Sequence, residues 1–403
     1  MRNDENHESF RKQELKTSVM DVSGNVSKSD VRRKKERYAS SFDEESPSLR
    51  INKQFGLSIE QVPLENVQHA FSLFPELTTP FSRPDILETI SNIFERSLVT
   101  LEIKGSDGLK GVASLPTYNR GPFRIAPQLP IRYVGLVTDH QNIIDELILL
   151  RQGLRERRIV IAYCSFPPQI KLDLQKLRAA GFEADLRATY LLPLKGNTPE
   201  EILQVAHPRM RSSVRHALKE LIISDATREE TELKLCPLLD ATYNRKVFNG
   251  APYPNVMGSI LWERHRNFDK MDPTVHIRSA RIKSTGKVVG MMVAITHPLT
   301  EQTYSWAIAR DPNYGNLQIS GALIADMGAI ATREGSVVLD LGGGTEGIKE
   351  FKSRMGAETA EYANIMIADR RYKFAQKAHE KWGWVKKKAH SIISGRKYRV
   401  PSK

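Results

Sequence analysis

Apolar residues along this chain come in short groups whose spacing switches between a helical and a strand-like period. Ile86, Leu87, Ile90, Ile93 and Phe94 recur on one face, which predicts a helix over 85–97 with Pro84 at its start. Residues 67–74 read as the end of a short helix. Residues 98–103 and 111–115 alternate or run apolar, as strands do, and 129–137 is a further strand candidate with Pro130 at an edge or bulge. Ile143, Ile144, Leu147 and Leu150 share one face of a helix over 142–152. A strand over 158–164, a helix over 172–180 closed by Gly181 and a strand over 189–194 complete the first round.

A second round follows. Thr198, Pro199, Glu200 and Glu201 form a helix start, with a capping hydroxyl, a proline in the first turn and acids at the positive end of the dipole. A basic helix is predicted over 208–222 and another helix over 231–248. Strands over 275–282 and 288–296 flank a turn at 284–287, as in a hairpin, and 302–310 is a third strand. A long helix over 317–333 ends near Gly335. A buried strand over 337–341 then runs into Gly342, Gly343 and Gly344, followed by a short helix over 348–354 and a last strand over 360–368. Both rounds run helix, antiparallel strands, helix, strand, short helix, strand. The expectation is an α+β protein with a mostly antiparallel sheet, in two units, 51–195 and 196–368.

Charge sets the two ends apart from this body. The chain of 403 residues carries a net charge of +13, but residues 1–50 are only +1, residues 369–403 are +10, and the body is +2. The first 50 residues are polar, with few aromatics, and read as a disordered tail. In the last segment Phe374, Ala378, Trp382, Val385, Ala389 and Ile392 lie on one helical face ringed by lysines. A basic amphipathic helix of this kind suits peripheral contact with an anionic membrane or RNA; the alternative is a terminal helix docked on the body.

Composition narrows the function. Hydrophobic residues make up 40% and charged residues 27%, as in soluble globular proteins. No apolar run approaches the ~18–20 residues that span a bilayer, and the start has no apolar signal region, so a cytoplasmic location is expected. Cys164 and Cys236 form neither a disulfide framework nor a zinc spacing. Cys164 follows Ile159, Val160, Ile161, Ala162 and Tyr163 and reads as a small buried residue rather than a nucleophile. The ten histidines are scattered without HxxxH or HExxH spacing, which speaks against metal catalysis.

Four passages carry a family resemblance. The first is Leu177-Arg-Ala-Ala-Gly181-Phe182 followed by Thr189-Tyr190-Leu-Leu-Pro-Leu194. The second is the basic helix Pro208-Arg-Met-Arg-Ser-Ser-Val-Arg215-His-Ala-Leu-Lys219. The third is Ala307-Ile-Ala-Arg-Asp-Pro-Asn-Tyr314. The fourth is Leu339-Asp340-Leu-Gly342-Gly-Gly with Phe351-Lys352-Ser-Arg-Met-Gly356. In this order and spacing the chain resembles the Fem-type and cellulose-biosynthesis-type acetyltransferase group of the GNAT superfamily, over roughly 130–368 and more loosely over 51–130. The resemblance implies two tandem GNAT-like units, each a mostly antiparallel mixed sheet flanked by helices. It also implies acyl transfer from acyl-CoA, as co-substrate, to an amine of a sugar or peptide precursor in cell-envelope or polysaccharide biosynthesis.

One departure bears on the donor. GNAT enzymes hold the coenzyme A pyrophosphate on a glycine-rich turn, R-x-x-G-x-G/A, opening the long helix. Here that stretch reads Gly315-Asn-Leu-Gln318-Ile-Ser320-Gly321, and side chains at Gln318 and Ser320 keep the backbone from a phosphate. Fem-type relatives also lack these glycines, and there the resemblance implies aminoacyl-tRNA as donor and a peptide-bridge acceptor. A third reading is a GNAT-like binding platform without catalysis.

Acyl transfer needs a proton acceptor for the amine, donors for the oxyanion and cations or amides for the donor's phosphates. In the Fem-type pattern Lys352 faces the reaction cleft; otherwise it is a solvated helix lysine. Asp340, a carboxylate in an apolar strand, is either a base or a cap for the glycine turn. Arg211 and Arg215 fall on one helical stripe that either holds substrate phosphates or is a solvated face. Tyr304 and Trp306 share one strand face, as a substrate wall or as core. Tyr253, in a loop over the expected cleft, is an acceptor-binding candidate. Gln318, Ser320 and Gly321 are the donor-binding candidates. No metal ligand set is expected.

Overall fold

A computed structural model of the chain describes residues 50–52, 57–63, 73–74, 79–83, 86–88, 91, 96–120, 123–127, 132–138, 142–244, 275–297, 299–369 and 372. The chain divides into two compact units, Met1–Pro47 and Ser48–Lys403. The first unit, and with it the expected N-terminal tail over 1–50 save Arg50, lies outside the described residues. So do Tyr253, most of the expected helices over 67–74 and 85–97, and all of the basic segment 369–403 save Asp369 and Tyr372.

Fourteen strands are described in the second unit. They are β1 (Arg50–Asn52), β2 (Leu57–Gln61), β3 (Ser97–Gly105), β4 (Gly108–Arg120), β5 (Phe123–Ile125), β6 (Leu136–Thr138), β7 (Ile159–Ser165), β8 (Glu183–Pro193), β9 (Leu221–Asp225), β10 (Val275–Ile282), β11 (Val288–His297), β12 (Gln302–Arg310), β13 (Val338–Asp340) and β14 (Glu358–Ala368). The helices are α1 (Ile143–Glu156), α2 (Leu174–Ala179), α3 (Pro199–Ile202), α4 (Pro208–Glu220), α5 (Arg228–Asn244), α6 (Ile319–Arg333) and α7 (Glu346–Arg354).

The strands join into one array in the order β1-β2-β3-β4-β5-β7-β14-β8-β13-β12-β11-β10-β9, with β6 beside β4. Neighbours are antiparallel except β5 with β7 and β12 with β13. The α+β class and the mostly antiparallel sheet flanked by helices are as the periodicity predicted. The order at the centre was not predicted. The last strand, β14, lies between β7 and β8, while β8 lies between β14 and β13. Each half of the sequence thus lends a strand to the sheet of the other.

The helices follow their apolar faces. In α1, Ile143, Leu147, Leu150 and Leu154 are buried, with Asp145 and Glu146 in the first turn and Arg155 in the last, each charge suited to its end of the dipole. α3 opens on the Thr198 cap read from the sequence, and Glu201 completes it as a capping box: Thr198 Oγ1 accepts from Glu201 N and the Glu201 carboxylate accepts from Thr198 N. α6 buries ten of its fifteen residues and is apolar almost all round, a helix enclosed rather than laid on a surface.

Two segments differ from expectation. The basic helix ends at Glu220, where Leu221 turns extended and the β-branched pair Ile222-Ile223 continues as β9 beside β10. The stretch 129–137 is a strand only from Leu136. Before it the backbone bends through Tyr133 at φ 57° and Gly135 at φ 130°. That bend carries Arg132 and Tyr133 to the junction of the two halves.

Apolar side chains pack in three main clusters. One unites α4, α6 and the strands beneath them through Val214, Ile319, Leu323 and Leu339. Another unites α1 with β2, β3 and β7. A third is aromatic, with Phe81, Tyr133, Tyr304 and Tyr362 in edge-on pairs at 5.0–6.1 Å between centroids. Among the described residues no helix is long and apolar enough to cross a membrane.

Candidate functional site

The parallel strands β12 and β13 pair over only three steps, Gln302 with Val338, Thr303 with Leu339 and Tyr304 with Asp340. Beyond Asp340 the chain leaves the sheet, while β12 runs on to Arg310 beside β11 alone. The strands therefore part, and a cavity of about 800 Å³ fills the wedge. Ser305, Trp306 and Arg310 line one wall, Gln318 and Ser320 a second, and the turn Gly342–Gly344 with Lys352 a third. The β12 wall carries a bulge. Val293 pairs with Ala307 and Ala294 with Ser305, so Trp306 is an extra residue without a partner on β11. Its indole N–H is buried and has no hydrogen-bond partner among the described residues.

Asp340 sits at the apex of the wedge, 1% exposed. Its Oδ1 accepts from Arg132 Nη1 (2.5 Å), Thr189 Oγ1 (2.5 Å) and Gly342 N (2.7 Å), and its Oδ2 accepts from Tyr133 OH (2.7 Å). Four donors satisfy the carboxylate, and the bond to Gly342 N is the turn cap that the strand context suggested. Arg132 Nη2 also donates to Ser305 O, so one guanidinium ties the apex to the β12 wall. Burial works against the Arg132 charge, but Asp340 outweighs it and holds the guanidinium above its ordinary pKa. Burial and the Asp340 charge push the Tyr133 phenol well above its usual range, so it stays a donor.

Lys352 is buried on α7 rather than solvated. Its Nζ donates to Leu341 O (2.5 Å), Gly342 O (2.7 Å) and Gly343 O (2.6 Å), and stands 5.8 Å from the Tyr190 ring centre. Gln318 caps α6 by position but makes no side-chain cap bond, and Gln318, Ile319 and Ser320 line the cavity at that helix start.

The other sequence candidates lie elsewhere. A Cβ on Gly321 would come 2.6 Å from Val214 Cγ2, so this glycine serves the packing of α6 on α4 and does not line the cavity. Arg211 Nη2 donates to Gln204 O (2.7 Å) and Ala206 O (3.1 Å), and Arg215 Nε to Glu200 (2.7 Å); neither reaches the wedge. Tyr304 is 1% exposed, with its hydroxyl on Gln302 Oε1, and is core where its strand neighbour Trp306 is wall. Arg132 and Tyr133 were not singled out from the sequence. Their signal was a charged residue inside the otherwise apolar stretch 129–137. Among the described residues no group of three or more His, Cys, Asp or Glu is placed to hold a metal ion.

No family model matches the sequence, and no curated protein does. Solved structures do match. The crystal structure of FemX is 14% identical and covers 79% of this chain and 99% of its own, with a TM-score of 0.58. A conserved protein of unknown function from Bacteroides thetaiotaomicron VPI-5482 is 12% identical over 77% of this chain and 99% of its own, with a TM-score of 0.50. A tandem GNAT protein from the clavulanic acid biosynthesis pathway is 11% identical over 77% and 98%, with a TM-score of 0.46. The fold is thus that of FemX.

Proposed function

We propose that this chain is an acyltransferase that moves an acyl group from acyl-CoA to an amine of a sugar or peptide precursor. The carrying observation is the wedge where β12 and β13 part, with an uncapped helix N-terminus on one wall and a glycine turn on another. An acyl carbonyl threaded into such a gap presents its carbon to an amine while backbone donors flank its oxygen. The amine nitrogen bonds to the carbonyl carbon, the carbon–sulfur bond breaks, and the thiolate leaves while the amine's proton passes to it or to water. Asp340 is already engaged by four donors, which supports a holding role for it rather than that of proton acceptor. The start of α6, where Gln318 and Ser320 line the cavity, is the candidate place for the donor.

A second reading has its own observation. Gln318 and Ser320 place side chains at the cavity where a glycine turn would let a pyrophosphate reach backbone. That favours a donor held differently, as the Fem-type resemblance implies for aminoacyl-tRNA. Titration with acetyl-CoA by calorimetry, beside a gel shift with charged tRNA in moderate salt, separates the two. Saturable coenzyme A binding weakened by Ser320→Glu supports the first. A tRNA shift without coenzyme A binding transfers the conclusion to the second. Neither, with no turnover, leaves a binding platform.

A further inference from the structure

An ammonium has three protons, and three backbone carbonyls from one turn converge on Lys352 Nζ within 2.7 Å. All peptide bonds described are trans, so each C=O points opposite to the N–H that follows it. Drawing the carbonyls of Leu341, Gly342 and Gly343 onto one cation therefore turns the N–H groups of residues 342, 343 and 344 away from it. The first goes to Asp340 Oδ1. The N–H groups of Gly343 and Gly344 have no bond among the described residues, and both glycines are exposed on the cavity wall. Without a cation the three carbonyl dipoles would repel one another and the turn would relax. With it, each peptide is polarised from behind, which strengthens its N–H as a donor.

We propose that Lys352 is a positioning residue that holds the Gly343 and Gly344 amides as a paired oxyanion site for the tetrahedral intermediate. The inference rests on the acyl-transfer reading. As the amine adds, the carbonyl π pair moves onto oxygen, where the two N–H groups bind it. As the leaving group departs, the pair returns and the amides are released. Lys352 neither gives nor takes a proton in this sequence, which distinguishes it from an acid, a base or a ligand for the donor.

The test uses a cation that carries no proton. Lys352→Ala leaves three carbonyl oxygens around an ammonium-sized space, which K⁺ or methylammonium can enter. Turnover is expected to fall about 10²-fold, the scale of losing an oxyanion donor, with donor Kd changed less than about twofold. K⁺ is expected to restore about tenfold of it, as a positioning role requires and proton transfer forbids. Rescue that follows amine basicity with none from K⁺, or a loss carried in Kd rather than turnover, overturns the proposal. A readout free of activity runs in parallel. With ¹⁵N-glycine labelling, the Gly342, Gly343 and Gly344 amide resonances are expected to move in Lys352→Ala and to return with K⁺, while Gly286 and Gly335 stay in place. Should the alanine variant not fold, Lys352→Met, which keeps the stem without the charge, is read by the same resonances, and unmoved glycines overturn the proposal. A wild-type protein without turnover defeats the acyl-transfer reading alone, because the glycine spectra still judge the turn.

Discussion

Asp340 stands out in the sequence as a charge in an apolar strand and Lys352 through the Fem-type resemblance, and the structure gives both to the same turn from opposite sides. Asp340 takes the Gly342 N–H and Lys352 takes the carbonyls around it. The apolar strand marked Asp340 as unusual because an unpaired buried charge is costly, but it could not name the partners. Three of the four donors to Asp340 are far away along the chain, with Arg132 208 positions from it, Tyr133 207 and Thr189 151. Asp340→Asn removes the charge opposite a buried guanidinium and is expected to cost about 3–5 kcal/mol in denaturant unfolding. The double variant Arg132→Met/Asp340→Asn is expected to recover part of that stability, because no charge is then stranded and the amide oxygen still accepts from the neighbouring donors.

Cys164 offers a second test at this scale. It is fully buried, and burial pushes its thiol from an ordinary 9.0 up to about 12. Between those values the unfolded chain releases the proton and the native chain keeps it, so stability falls as pH rises through that window. Cys164→Ala is expected to remove this part of the alkaline slope. In a Cys236→Ser background, a thiol reagent is expected to label Cys164 only as fast as the protein unfolds.

At the scale of elements, periodicity located most helices and strands, because an apolar face buried on one side leaves a regular trace. It failed where the trace is short or the backbone bends. β9 followed a helix without a break in hydrophobicity, and the turn through Tyr133 and Gly135 hid inside an apolar run. The arginine stripe of α4 was legible as a stripe, but Arg211 closes the α3–α4 junction through Gln204 O and Ala206 O instead of facing the wedge. The seating of α6 on the sheet was not legible, since it depends on Gly290 of β11. A Cβ there would come 2.3 Å from Ile319 Cγ2 and 3.2 Å from Leu323 Cδ1. Gly290→Ala is expected to cost about 1–3 kcal/mol. In the Gly290→Ala/Ile319→Ala double variant the cost should be less than the sum of the single changes, because the second substitution makes room for the first. Additive values in a thermal melt would show that the helix shifts freely.

At the scale of the molecule, two rounds of similar elements were visible in the sequence, but not that they exchange strands. Pairing across the sheet has no local signature. β14 and β8 are both rich in apolar positions that suit either half, and only the folded array decides their neighbours. Residues 51–195 made alone would lack β14 and leave the edge of β7 unpaired. Such a fragment is expected to aggregate or remain loosely packed, with broad amide resonances. Mixing it with 196–403 is expected to restore the far-ultraviolet signal of the intact chain. A well-dispersed spectrum from the first fragment alone would show that its half closes without the borrowed strand.

The same exchange sets a schedule during synthesis. β7 and β8 leave the ribosome early, yet the strand that belongs between them arrives roughly 190 residues after β7, about 10–40 s later at ordinary elongation rates. Throughout that interval two strand edges that will meet β14 stand ready to pair with each other, or with the same edges of a neighbouring nascent chain. Slowed translation of the second half would lengthen the exposure without altering a single residue. The yield of this protein in a cell should therefore depend on chaperone supply and codon choice downstream of position 195 more than its finished stability would suggest.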